Sequence, residues 1–302
     1  MSQSRPLRHR VREPLIGAFL QLVALLPYRA NQVIGGTLGK LLYRYAKTLR
    51  ETARINIRAC LPELDEKTRE DLVQSNLIET GKGMTEAIAL WIWPEKKIET
   101  LIQAVEGEEH VKQAIAAGKG VIIMTPHLGC WEIVNYYVSR HYPMTTLYKE
   151  HRVRSLDRVM AKGRARFGAA PVNTDINGVR ALIKALKKGE TVGILPDQDP
   201  GYEAGEFTPF FGIPAVTMTL TSKLMQKTDS VVISTIGERL ENGRGLKIRF
   251  SEPVTGIDNP DLDQSMLAVN QEVEKQIRLL PAQYLWSYQR FRRRPKGEPP
   301  FY

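Results

Sequence analysis

The period of the apolar positions changes along this 302-residue chain, and the change separates two kinds of structure. Over residues 47–100 apolar side chains recur at helical spacing, interrupted at Cys60-Leu61-Pro62, so this stretch predicts helices. From about residue 105 helical patterns alternate with short apolar runs bounded by turn residues. Helices are predicted over 108–117, 129–140, 155–167, 178–188 and near 216–226. Strands are predicted over 121–124, 145–148, 192–195, 230–236 and 245–250. Such alternation predicts an α/β fold, a central mostly parallel sheet flanked by helices. No repeat, low-complexity tract or obvious linker breaks the pattern, so residues 47–302 are expected to form a single domain.

The run Val121-Ile122-Ile123-Met124 follows Gly118-Lys119-Gly120 and ends at Thr125-Pro126, as a strand buried on both faces does. Beyond it Trp131, Val134, Tyr137 and Val138 restore helical spacing. His127 therefore falls at the strand-to-helix corner and Glu132 early in the helix, at the sheet edge where ligands gather. A carboxylate on one imidazole nitrogen fixes the tautomer and raises the basicity of the other, the relation needed to take a proton from an alcohol. Unbonded N–H groups at a helix start suit a developing oxyanion. The pattern suits acyl transfer. A plainer reading stays open, in which Glu132 complements the helix dipole and His127 caps a loop.

Charge narrows the partners. The formal net charge of +10 and pI near 9.5 point to nucleic acid, anionic lipid or an acidic carrier protein. Cys60 and Cys130 have no metal-ligand spacing and form no disulfide framework, which favours a reducing compartment. Residues 1–12 carry Arg5, Arg8, Arg10 and Arg12 without an acid, and the apolar run of residues 15–26 follows. That run is short of the ~20 residues a transmembrane helix needs, and no small-residue cleavage site follows it. Residues 1–46 are therefore expected to be an uncleaved anchor dipping into the cytoplasmic face of a membrane, its arginines on anionic headgroups at ~1 kcal/mol each. A buried core helix is the alternative.

Three other stretches carry candidate chemistry. The predicted strand 192–195 runs into Pro196-Asp197-Gln198-Asp199-Pro200-Gly201, where the two acids suit either Mg²⁺ or an Asx turn; no metal is expected. Phe210 and Phe211 suit a wall for an apolar chain, or the core. Arg164, on the helix after the strand ending near Tyr148, reaches toward the same edge as His127, where it would clamp a phosphate or assist an oxyanion, unless it is a solvated surface residue. The C-terminal run from Tyr284 to Pro295 interleaves aromatics with arginines, a composition that binds single-stranded nucleic acid or lies on lipid. Trp91, Trp93 and Pro94 form a further aromatic patch, suited to an acyl-chain entrance or to ordinary packing. No G-x-S-x-G occurs, which argues against a serine hydrolase of the α/β-hydrolase kind.

Five ordered blocks, HLGCWE (127–132), GRAR (163–166), ALKKGETVGILPDQDPG (185–201), PFFGIPA (209–215) and PAQYLWSYQRFRRRPKG (281–297), resemble the late acyltransferases of lipid A biosynthesis, the lauroyl/myristoyl class, over essentially the whole chain. That class lies within the lysophospholipid acyltransferase superfamily, which shares H-x-x-x-x-D/E. The resemblance implies a glycerol-phosphate-acyltransferase-like fold and transfer of a fatty acyl group from acyl carrier protein to a hydroxyl of a 3-hydroxyacyl chain on a Kdo-bearing lipid A precursor. It places the protein at the cytoplasmic face of the bacterial inner membrane, held by its N-terminal helix. On this reading His127 is the general base and Glu132 orients it. Backbone donors at Gly129 and Cys130, with Arg164, stabilise the oxyanion. Asp197 and Gln198 shape the site, and Phe210 and Phe211 line its apolar slot. No cofactor is implied, since acyl carrier protein is a substrate. The partners are acyl carrier protein, the lipid A precursor and anionic inner-membrane lipids, with no nucleic acid. Cys130 stands where Asn is more usual, and Tyr288-Gln289 where His-Arg or similar is common.

Two rival readings remain. The same pair would acylate a lysophospholipid or a phosphoinositide mannoside. A non-catalytic basic membrane or nucleic-acid binder would dispense with His127 and weaken steeply with salt.

Overall fold

A computed structural model describes residues 17, 20–148 and 153–302. The basic segment with Arg5, Arg8, Arg10 and Arg12 lies outside the described residues. In chain order the elements are α1 (Tyr28–Tyr45), α2 (Lys47–Cys60), α3 (Glu66–Ile92), α4 (Glu95–Glu99), β1 (Ile102–Glu106), α5 (Glu108–Ala116), β2 (Val121–Met124), α6 (Trp131–His141), β3 (Met144–Tyr148) and α7 (Arg154–Arg166). They continue with β4 (Ala170–Asn173), α8 (Ile176–Lys187), β5 (Thr191–Ile194), β6 (Gly205–Phe210), β7 (Ile213–Met218), α9 (Leu220–Thr228), β8 (Val231–Arg239), β9 (Leu246–Pro253) and α10 (Leu262–Leu279).

Seven strands form one sheet in the order β1-β9-β8-β2-β5-β3-β4, parallel throughout except for the antiparallel β8–β9 pair. β2 lies near its centre, between β8 and β5, with every residue buried. Its side chains alternate between the two faces as strand geometry requires. Ile122 and Met124 join the core with α8, α10 and the C-terminal aromatics, whereas Val121 and Ile123 join the core with α6, Phe167 and Trp93. Asp65, Asp175 and Asp261 start three of the helices by accepting backbone N–H bonds in the first turn. The hairpin β6–β7 stands apart from the main sheet and pairs Pro209 with Pro214.

The expected anchor is part of the folded body where it is described. α1 packs along α3 so closely that a Cβ on Gly35, Gly39 or Gly81 would collide with the opposing backbone. Residues 20–25 are helical, with Leu20, Val23 and Ala24 buried and the Trp93 indole donating to the Ala24 carbonyl. No helix of the described residues is long and apolar enough to cross a membrane. Trp93 is thus a core residue, edge-on to Tyr28. The C-terminal run is largely core as well. Tyr284, Trp286 and Phe291 are buried, and the buried Arg290 donates to the Val216 carbonyl and Thr217 Oγ1.

Candidate active site

β2 and β5 run parallel and in register, Met124 opposite Ile194, so the loops leaving their C-terminal ends emerge side by side. The first loop carries His127 and the second Asp197. His127 Nδ1 lies 2.9 Å from Asp197 Oδ1, and the His127 backbone N–H donates to Asp197 Oδ2 at 3.1 Å. A buried carboxylate grips the histidine by ring and backbone together. Burial works to raise the Asp197 pKa, but the His127 charge and the hydrogen bonds outweigh it, and the carboxyl is held below its ordinary value. With Nδ1–H donating to Asp197, Nε2 presents its lone pair, and Gln198 Nε2 sits 3.3 Å from it. The His127 side chain keeps 16% exposure, enough for a substrate to reach it. The Trp131 ring packs 5.2 Å away, centroid to centroid, and limits the tilt of the imidazole.

Glu132 is turned to a different partner. Buried at the start of α6, it takes both Nε (3.1 Å) and Nη2 of Arg164 in a bidentate pair. Desolvation disfavours the Arg164 cation, the Glu132 charge more than offsets it, and the guanidinium pKa is raised. The orienting carboxylate of His127 is therefore Asp197 rather than Glu132. Arg164 does reach this sheet edge, through Glu132.

The loop between them is sewn into the body by its backbone. Gly129 N–H donates to the Gln283 carbonyl at 3.0 Å, Cys130 N–H to the Gly237 carbonyl at 2.7 Å, and Leu285 N–H to the His127 carbonyl at 3.0 Å. The expected oxyanion donors at Gly129 and Cys130 are thereby occupied. Among the described residues the N–H groups of Trp131 and Glu132, in the first turn of α6, take no acceptor. Gly129 is required twice over, because its φ is +61° and a Cβ there would strike the Gly237 carbonyl.

Behind the loop lies a buried ionic cluster that the sequence pattern does not signal. Arg239 pairs with Glu79 and Glu86 at 2.7 and 2.8 Å and donates to the Gly129 carbonyl at 3.3 Å, while Tyr28 donates to Glu86 at 2.7 Å. These acids hold the Arg239 pKa up against its burial. Cys130 is fully enclosed, and burial followed by the Glu86 charge pushes its thiol well above the usual range, so it is no nucleophile. Asp199, the second acid of the loop, takes different partners from Asp197: it pairs with Arg293 at 2.5 Å, and its N–H donates to Tyr288 Oη. Phe210 and Phe211 pack edge-on to each other beneath the C-terminal strap, Phe210 on Phe291 and Phe211 on Trp286. Among the described residues the ring paired with His127 is that of Trp131, not either phenylalanine.

A cavity of about 60 Å³ opens around the Glu132–Arg164 pair, with Trp131, Val134, Met144, Gly193 and Leu195 on its apolar side and Thr125, Asn135 and Thr146 on its polar side. A second of about 60 Å³ adjoins it through Thr146 and Arg164 and reaches Ala161 and Pro171.

The bacterial lipid A biosynthesis acyltransferase family model matches residues 4–293. This chain belongs to that family. It is 30% identical to the lipid A biosynthesis lauroyltransferase of Escherichia coli (strain K12), over 94% of this chain and 92% of that protein. The palmitoleoyltransferase of the same organism is 28% identical over the same shares. Its myristoyltransferase is 26% identical over 91% of this chain and 85% of that protein. The acyltransferase accordingly carries its histidine at the C-terminal edge of a central parallel strand, beside a carboxylate from the neighbouring strand.

Proposed function

We propose that this protein moves a fatty acyl group from acyl carrier protein to a hydroxyl of a 3-hydroxyacyl chain on a Kdo-bearing lipid A precursor, working at the cytoplasmic face of the bacterial inner membrane. The observation that carries the chemistry is the Asp197–His127 pair, which leaves Nε2 of a part-exposed imidazole beside the Gln198 amide. The acceptor hydroxyl replaces the Gln198 amide at Nε2 and gives up its proton there. Its oxygen bonds to the thioester carbonyl carbon, the carbonyl π electrons move to oxygen, and the imidazolium is balanced by Asp197. Collapse of the tetrahedral intermediate breaks the C–S bond, and His127 returns the proton to the departing thiolate. A positioned base supplies about 10²–10⁴-fold. No covalent enzyme intermediate is needed.

With Gly129 and Cys130 committed elsewhere, the oxyanion donors in this scheme are the Gln198 amide and the N–H groups of Trp131 and Glu132. The Glu132–Arg164 pair anchors α6 against α7 and keeps that helix start rigid. The acyl chain is directed toward Met144 and Gly193, where the cavity of about 60 Å³ holds only its first few carbons and must widen to take the rest. Membrane contact is assigned to the outer side of the N-terminal helices, where Leu22, Leu25, Val33, Ile34 and Leu41 are exposed and Arg29, Lys40 and Arg44 lie close by.

The test is an acceptor screen with a fixed acyl carrier protein donor. Product with the Kdo-bearing precursor and not with a lysophospholipid or a phosphoinositide mannoside supports the assignment; the reverse preference rejects it.

A further inference from the structure

The C-terminal run leaves three arginines outside the core, and they frame an open surface pocket. Arg292, Arg293 and Arg294 line it with Tyr202, Glu298 and Pro300, and its volume is about 480 Å³. That is the size of a small-molecule site, roughly 300–1,000 Å³. Arg293 pairs with Asp199 and lies over the Tyr202 ring, 5.1 Å from its centroid. Arg294 pairs with Glu298 and donates to the Pro214 carbonyl at 3.2 Å. Its sheltered Nε has no acceptor among the described residues. Three guanidiniums thus meet two carboxylates. The Arg292 guanidinium is exposed and has no partner among the described residues, so it carries the charge left over.

Position makes the cavity more than a solvated patch. Asp199, which holds Arg293, follows Asp197 by two residues, at most about 7 Å of chain. The same loop therefore binds the catalytic histidine at one end and the arginine wall at the other.

We propose that this cavity seats an anionic group, phosphate or carboxylate, of the lipid acceptor, with Arg292 as its principal cation. The inference rests on the acyltransferase reading above, in which the acceptor carries phosphates and Kdo carboxylates. The acceptor fits better than the donor because its reacting hydroxyl lies a short acyl spacer from the charged sugars, matching the short loop between Asp197 and Asp199. A donor's carrier stands off at the end of its thiol arm. Guanidinium contacts are bidentate and directional, which gives Arg292 a role that charge alone does not fill.

Binding tests this without turnover. The Kdo-bearing lipid A precursor in detergent micelles is titrated into His127→Ala protein, alone and combined with Arg292→Glu, Arg292→Lys or Lys184→Glu, the last reversing an exposed charge on α8. Arg292→Glu is expected to weaken binding about tenfold, Arg292→Lys about threefold, and Lys184→Glu not at all. Repeating the titration with dephosphorylated precursor and with precursor lacking Kdo identifies the group, because the Arg292 effect vanishes with whichever form lacks it. Equal effects of Arg292→Glu and Lys184→Glu overturn the proposal, as does an Arg292 effect that survives both truncations or an absence of binding in the parent protein. If the Arg292 effect holds while wild type transfers no acyl group to the same lipid, the site stands and the functional reading falls.

Discussion

His127 and Asp197, seventy residues apart in the chain, meet at 2.9 Å because β2 and β5 are adjacent parallel strands. Asp197 binds ring and backbone together, which fixes both the tautomer and the placement of the histidine. The Asp197 carboxyl is depressed in the fold, so it stabilises the protein above its ordinary pKa, about 3.9, and loses that contribution as pH falls through the folded value. The urea midpoint of wild type should therefore exceed that of Asp197→Asn near pH 6, and the gap should narrow as pH falls below about 3.9. A gap that widens on acidification contradicts the assignment.

Glu132 should couple to Arg164 and not to His127. Removing Arg164 leaves a buried carboxylate unpaired, a loss of about 3–5 kcal/mol, whereas replacing both by apolar residues recovers most of it. Denaturant unfolding of Arg164→Ala, Glu132→Leu and a Glu132→Leu/Arg164→Met double variant measures this. A double-mutant cycle giving strong Glu132–His127 coupling and none between Glu132 and Arg164 would contradict the geometry.

Chain-length preference should respond to Gly193. A Cβ there meets the Met144 methyl and Thr146 Cγ2, so Gly193→Ala narrows the cavity from its floor while a flexible methionine absorbs the strain. In a competition between acyl donors the variant should shift toward shorter chains, and Met144→Ala toward longer ones. Unchanged product ratios in both would place the acyl chain elsewhere.

The α1–α3 contact should tolerate no added carbon. Gly81→Ala drives a methyl into the Gly35 carbonyl and the Gly39 backbone, neither of which has a side chain to move aside. Overpacking of this kind costs about 1–3 kcal/mol. Thermal unfolding should register the loss, whereas Gly36→Ala, which meets only side-chain atoms beyond 3.4 Å, should be near neutral.

Much of the fold is legible from periodicity alone. The buried strand 121–124 and the helices that follow it read directly, since a fully apolar run and a 3.6-residue repeat are local signals. The hairpin β6–β7 is not legible, because Pro209 and Pro214 argue against strand pairing and Val216 falls into the helical spacing of α9. β4 carries Pro171 on an edge strand, where proline is tolerated. At the site, sequence proximity favours Glu132 as the partner of His127. The actual partner depends on which strands are neighbours, and strand order in an α/β sheet is not a local property. Asp197 and Gln198, at the end of an apolar strand, were candidates for the site; the geometry assigns them to opposite nitrogens of His127. Arg239 gave no sequence signal, since its role is to hold the Gly129 carbonyl and two distant glutamates that only tertiary structure brings to it.

The most direct test is the mass of the lipid product formed from acyl carrier protein thioester and Kdo-bearing precursor by wild type, His127→Ala and Asp197→Asn. Wild type should add one acyl chain, and each folded variant should lose about 10²–10⁴-fold of that activity. Full product from Asp197→Asn, or from His127→Ala, would contradict the roles given to the pair.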